Sequence, residues 1–148
     1  MYTKREHVKA LAKNVVSRLE QDEAIVLNPR TRQMVYQDLY LKLDSMIMTD
    51  EEMREKIIAQ LGLKADELGE TGYTENDQYK AAKNVMMNKL GENAVLGLYY
   101  QRPVKMVAHE IGMFLMSHNQ VEDVFPSDDE LEKSIVDFLK RFNPSQLH

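Results

Sequence analysis

The sequence predicts an all-α fold, a six-helix, bundle-like single domain spanning residues 1–148. Three observations carry this. Apolar residues recur at helical spacing in six separate stretches. Helix-start signals of the Ser/Thr-x-x-Glu/Asp type precede three of them, at Thr49, Thr74 and Ser127. Everything that reads as extended is a short link between helices.

Taken in order, Val8, Leu11, Ala12, Val15, Val16 and Leu19 form one apolar face, which predicts a helix over 4–20. Ala24 to Leu27 is short and partly β-branched, and so extended. Asn28-Pro29 offers one start for the second helix and Thr31 another. That helix is expected to reach about 47, on Met34, Val35, Leu39, Leu43, Met46 and Ile47. Thr49 and Glu52 form a capping box with Asp50 and Glu51 in the first turn. They open a helix over about 50–61, on Met53, Ile57, Ile58 and Leu61, closed by Gly62.

Residues 63–73 carry two glycines and three acids and read as a loop. Thr74 then starts a fourth helix over about 75–90, with Tyr79, Ala82, Val85, Met86 and Leu90 on its face and Gly91 as its stop. The VLGLYY run, 95–100, is apolar and extended. Pro103 marks the start of a helix to 117, on Val104, Val107, Ala108, Ile111, Phe114 and Leu115. The last helix begins at a second full capping box. The Ser127 hydroxyl is placed to accept from the Glu130 N–H, and the Glu130 carboxylate to reach back to the Ser127 N–H. Phe125 or Pro126 is placed to fold onto Leu131 as a staple. Leu131, Ile135, Phe138, Leu139 and Phe142 are its inner face, and Asn143-Pro144 ends it. The links 24–27, 95–100 and 121–125 are candidates to meet as one small β patch.

An offset of 96 residues lays the first helix–link–helix over the last without a gap. Val8 falls on Val104, Val15 on Ile111, Ile25 on Val121, Thr31 on Ser127 and Leu39 on Ile135. Two pseudo-repeated hairpins are therefore expected, with the second helix starting near Thr31. Shared amphipathicity explains the aligned faces; it does not force equal links or matching caps.

A chain of this length can bury roughly 70% of its unfolded surface. It has no cysteine, which removes disulfides and thiol nucleophiles and fits a reducing compartment. No apolar run reaches membrane-span length, and the opening MYTKREHVKALAKN lacks a signal-peptide core. The expectation is a cytoplasmic protein with no membrane partner. Net charge is −5. Residues 1–48 hold eight Lys/Arg against six Asp/Glu, and the rest eleven against eighteen. An acidic balance of this kind argues against binding nucleic acid through its phosphates.

The run NQVEDVFPSDDELEKSI, Asn119 to Ile135, resembles a bacterial domain-of-unknown-function family, number 507. Members carry a similar Val-Glu-Glu-Val-Phe, an acidic pair and Glu-Leu before their last helix; Asp123 here replaces a Glu. VKALAKNVVSRL and YKAAKNVMMNKLGENAVL are similar to that family's first and central helices. The resemblance implies a bacterial, cytoplasmic, helical protein and transfers no activity and no catalytic or binding residue.

Side chains capable of chemistry are sparse. His109 and His118 lie nine positions apart, on opposite sides of a helix, and no His-Glu-x-x-His spacing exists. Ser127 is explained by capping. Asp128, Asp129 and Glu130 lack the alternation and central glycine of a calcium loop. No cofactor, metal or catalytic set is expected. The ten methionines read as core filling or as a plastic partner groove. From Asn119 to Glu132 there are six acids and no base, and helix capping accounts for only Asp128, Asp129 and Glu130. Glu122, Asp123 and Glu132, with Val124 and Phe125 beside them, are the candidate partner surface. They suit a basic protein partner, or the basic first half of a second copy. The expected role is a non-enzymatic interaction or adaptor module. The alternative is an enzyme whose site is assembled from residues distant in sequence.

Overall fold

The computed structural model describes residues 2–62 and 77–146. The loop reading at 63–73 and the cap at Thr74 lie outside them. Six helices are present among the described residues: α1 Arg5–Gln21, α2 Arg32–Leu43, α3 Asp50–Leu61, α4 Asp77–Leu90, α5 Val104–Ser117 and α6 Asp128–Arg141. The strands are β1 Ile25–Leu27, β2 Ile47–Thr49, β3 Ala94–Val95, β4 Leu98–Tyr100 and β5 Val121–Val124. They form a two-stranded sheet, β1-β5, and a three-stranded sheet, β2-β4-β3, both antiparallel. The all-α expectation is thus corrected: the fold is mixed α/β, with two small sheets joining the helices. No helix among the described residues is long and apolar enough to cross a membrane.

The extended links do not meet in one patch. Residues 25–27 and 121–124 pair, with Ile25 opposite Val124 and Val26 opposite Asp123, and the register breaks before Leu27. The 94–100 stretch forms its own hairpin instead, and its partner is β2, which the sequence reading placed at the end of a helix. The α2 periodicity continues on paper through Met46 and Ile47, and both are buried. They are buried from outside the helix: the chain turns after Leu43, and the β-branched Ile47 and Thr49 pair with Tyr100 and Leu98. The β3–β4 turn places Leu96 and Gly97 at φ +48° and +87°, the left-handed pair that a two-residue hairpin demands.

Two apolar clusters result. The larger gathers α1, α2, α5 and α6 with β1. The smaller lies between α3, α4 and the three-stranded sheet, around Met53, Ile57, Tyr79 and Tyr99. Strand β4 serves both, because successive side chains leave a strand on opposite faces. Leu98 and Tyr100 enter the large cluster and Tyr99 the small one.

Burial repeats at the offset of 96. In α1 the buried residues are Val8, Leu11, Ala12, Val15, Val16 and Leu19; in α5 they are Val104, Val107, Ala108, Ile111, Gly112 and Leu115. Val35, Leu39, Leu43 and Met46 correspond likewise to Leu131, Ile135, Leu139 and Phe142. The equivalent strands β1 and β5 pair with each other. Helix α2 does start at Thr31, although its side chain makes no cap bond there. Ser127 and Thr49 do cap, accepting from Glu130 N–H at 3.3 Å and Glu52 N–H at 3.4 Å. The reciprocal half differs from expectation. The Ser127 and Thr49 hydroxyls donate to the carboxylates of Glu130 and Glu52, so the carboxylates do not take the cap's backbone N–H.

Candidate functional site

Four of the five predicted surface residues sit together at β5 and its exit. Glu122 and Asp123 are exposed, Val124 is half-buried and Phe125 is 63% exposed. Phe125 therefore does not staple onto Leu131. Its backbone is fixed all the same, since its N–H donates to the Ala24 carbonyl at 2.9 Å and extends the β1–β5 ladder. Asp123 turns one carboxylate oxygen onto the Val124 N–H at 3.0 Å. The fifth residue, Glu132, lies elsewhere. Its carboxylate is 3.4 Å from His109 Nδ1, and it lines a groove of about 550 Å³ between α5 and α6 that also contains Glu92, Lys105, Asp129, Lys133 and Lys140.

His118, just past α5, is more than a helix-end histidine. The Gln120 N–H donates to its Nδ1 at 3.0 Å, so Nε2 carries the hydrogen and donates to Asp38 at 2.8 Å. The ring leans on Phe114, with centroids 5.1 Å apart. This ties the end of α5 to α2 across 80 residues of sequence. Among the described residues, no group of three or more His, Asp or Glu is arranged to hold a metal.

A polar clasp joins the start of the chain to the three-stranded sheet. Thr3 is buried; its hydroxyl donates to the Gly97 carbonyl and accepts the Asp50 N–H at 2.8 Å. Asp50 accepts in turn from the Thr3 N–H and the Tyr99 hydroxyl. Burial, then the Asp50 carboxylate, push the Tyr99 phenol well above its usual range. Beside this, Arg5 grips both oxygens of Glu52 at 2.8 Å and donates to the Ile47 and Asp44 carbonyls. Partial burial disfavours the Glu52 carboxylate, but the Arg5 and Thr49 bonds outweigh it, and the group titrates below the usual carboxylate range.

A cleft of about 590 Å³ was not anticipated from the sequence. Lys56 and Gln60 reach it from one face of α3; Ala82, Val85, Met86 and Lys89 reach it from one stripe of α4. Gln101, Arg102 and Pro103 close it from the corner between β4 and α5. Among the described residues, no carboxylate lines it. Each contributor reads as an ordinary solvated helix position, and only the packing of α4 against α3 and the sheet brings them to one place.

No curated protein and no solved structure matches the chain. One family model does, described as "Protein of unknown function (DUF507)", and it covers residues 1–146 of the 148. A match over nearly the whole length, not only the run before the last helix, means that the chain belongs to the DUF507 family.

Proposed function

We propose that the protein is a non-catalytic interaction module that docks a basic, arginine-containing segment of a partner protein on the β5 surface. The observation that carries the reading is Phe125, 63% exposed yet held by a backbone bond to the β1 side of the sheet. An exposed aromatic side chain on a fixed backbone is an anchor that costs little backbone ordering on binding. Glu122 and Asp123 stand two or three positions before it. A guanidinium can stack on the ring while a second basic side chain pairs with Asp123, two positions before Phe125 on the same side of the strand, and Glu122 adds to the local negative charge. The charge speeds encounter more than it tightens the complex, and salt weakens it.

The test is an amide-shift titration with a short peptide alternating Arg and Leu. Shifts confined to residues 121–126, fading as salt is raised toward about 0.5 M, are the expected result. The triple variant Glu122→Gln, Asp123→Asn, Phe125→Ser should lose them with its urea midpoint near wild type, while Glu132→Gln should keep them. Shifts that survive the triple change, or gather in the α5–α6 groove, would sink the proposal.

A further inference from the structure

We propose that the cleft between α3, α4 and the β4–α5 corner binds a small organic anion, with a phosphate or carboxylate head and an apolar body. Its volume of about 590 Å³ lies within the range of small-ligand sites. The head would meet Lys56, Lys89 and Arg102. Among the described residues the two lysines have no ion-pair partner, which they share with other surface lysines such as Lys105 and Lys133; what sets them apart is that no described carboxylate lines the space they face. Arg102 donates through one terminal nitrogen to Glu110 at 2.8 Å, which leaves the rest of its guanidinium free to turn to the cleft.

Three cations facing one space repel each other, and among the described residues the cleft supplies no carboxylate to offset them. This occurs in a chain whose net charge is −5, where acids are the more abundant partner. An anion bound there removes that repulsion, and low-dielectric walls strengthen the attraction. The groove between α5 and α6 makes the contrast: it is nearly as large, but its three lysines face three carboxylates and need no added charge.

The apolar body follows from α4. Val85 is 66% exposed on the stripe that faces the cleft, beside half-buried Met86 and Ala82. The methionine is a flexible, polarisable wall that adapts to varied shapes. Of the neighbouring amides, Asn93 is already fixed, accepting the Val104 N–H at 3.0 Å, and its NH2 group remains a donor. The site thus offers donors and cations at one end and an apolar wall along α4. It selects against cations and against neutral polar molecules.

The probes are phenyl phosphate and benzoate, with inorganic phosphate and benzyl alcohol as comparisons, titrated against the full chain and followed by amide shifts. At least one aromatic anion is expected to bind with Kd on the order of 1 mM, as for a fragment of this size, shifting residues near 56, 89 and 102. If phenyl phosphate alone binds, the head is a phosphate; if benzoate binds too, the site accepts either head. Lys56→Gln with Lys89→Gln should weaken binding about tenfold, at an unchanged melting temperature because both side chains are exposed. Val85→Ser should weaken the aromatic anions and leave inorganic phosphate as it was. Failure of both aromatic anions to bind overturns the proposal, as does equal affinity for inorganic phosphate or binding that survives the double lysine change.

Discussion

Gly97 shows how much one residue can carry. At φ +87°, a Cβ would lie 2.6 Å from the Asp50 carboxylate and 2.8 Å from Thr3. Gly97→Ala should therefore lower stability by about 2 kcal/mol or more, read as a fall in the urea midpoint. The neighbouring tyrosines give opposite signs for the same change. Tyr99 donates to the Asp50 carboxylate, so Tyr99→Phe should cost about 1.5–3 kcal/mol. The Tyr100 hydroxyl is buried without a hydrogen-bond partner among the described residues, so Tyr100→Phe should be neutral or stabilising by about 1 kcal/mol. Equal losses in the two variants would show that ring packing alone decides both. At this scale the sequence was partly legible. A glycine between Leu96 and Leu98 marks a turn, but nothing local says that Thr3 closes on it from 94 residues away. The same holds for His118, whose partner Asp38 is on another helix pair.

Among the elements, the helices and the extended links at 24–27, 95–100 and 121–125 were readable, whereas strand β2 and the way the strands pair were not. A helix face repeats within its own stretch, and for α1 every expected inner residue is buried. Strand β2 has three residues and no periodicity of its own; Ile47 becomes a strand residue because Tyr100 lies beside it. The cleft was hidden for a related reason. Lys56, Lys89 and Arg102 come from three elements, and each alone looks like a solvated charge. Phe125, by contrast, stood out because its acidic neighbours were contiguous with it. Two helix changes follow from the observed packing. Ser127→Ala removes the bond to the Glu130 N–H and should cost about 1 kcal/mol. Gly112, mid-way along α5, has only ordinary contact space around a new Cβ, 3.5 Å from Leu131, and its counterpart in α1 is the buried Val16. Gly112→Ala should raise stability by about 0.5–1 kcal/mol through helix propensity. A lowered melting temperature would mean that α5 and α6 sit closer than this geometry gives.

For the molecule as a whole, the Arg5–Glu52 pair matters because it ties α1 to the second cluster. The Glu52 carboxylate titrates lower when folded than its ordinary 4.5. Its stabilisation is therefore full above that ordinary value and is lost as pH falls through the lower folded one. Glu52→Gln should lower the urea midpoint at neutral pH and converge on wild type in acid. A constant gap at every pH would assign the pair no electrostatic share. The long-range β1–β5 pairing also sets a schedule for synthesis. A ribosome adds about 5–20 residues per second, so it needs about 5–20 s to go from Val8 to its counterpart Val104, 96 residues on. During that interval α1, α2 and strands β2 to β4 are made, and α5, α6 and β5, which complete their core, are not. A nascent chain with that apolar side open is a substrate for holding chaperones, and slowing elongation in the second half should lengthen its exposure rather than help it fold.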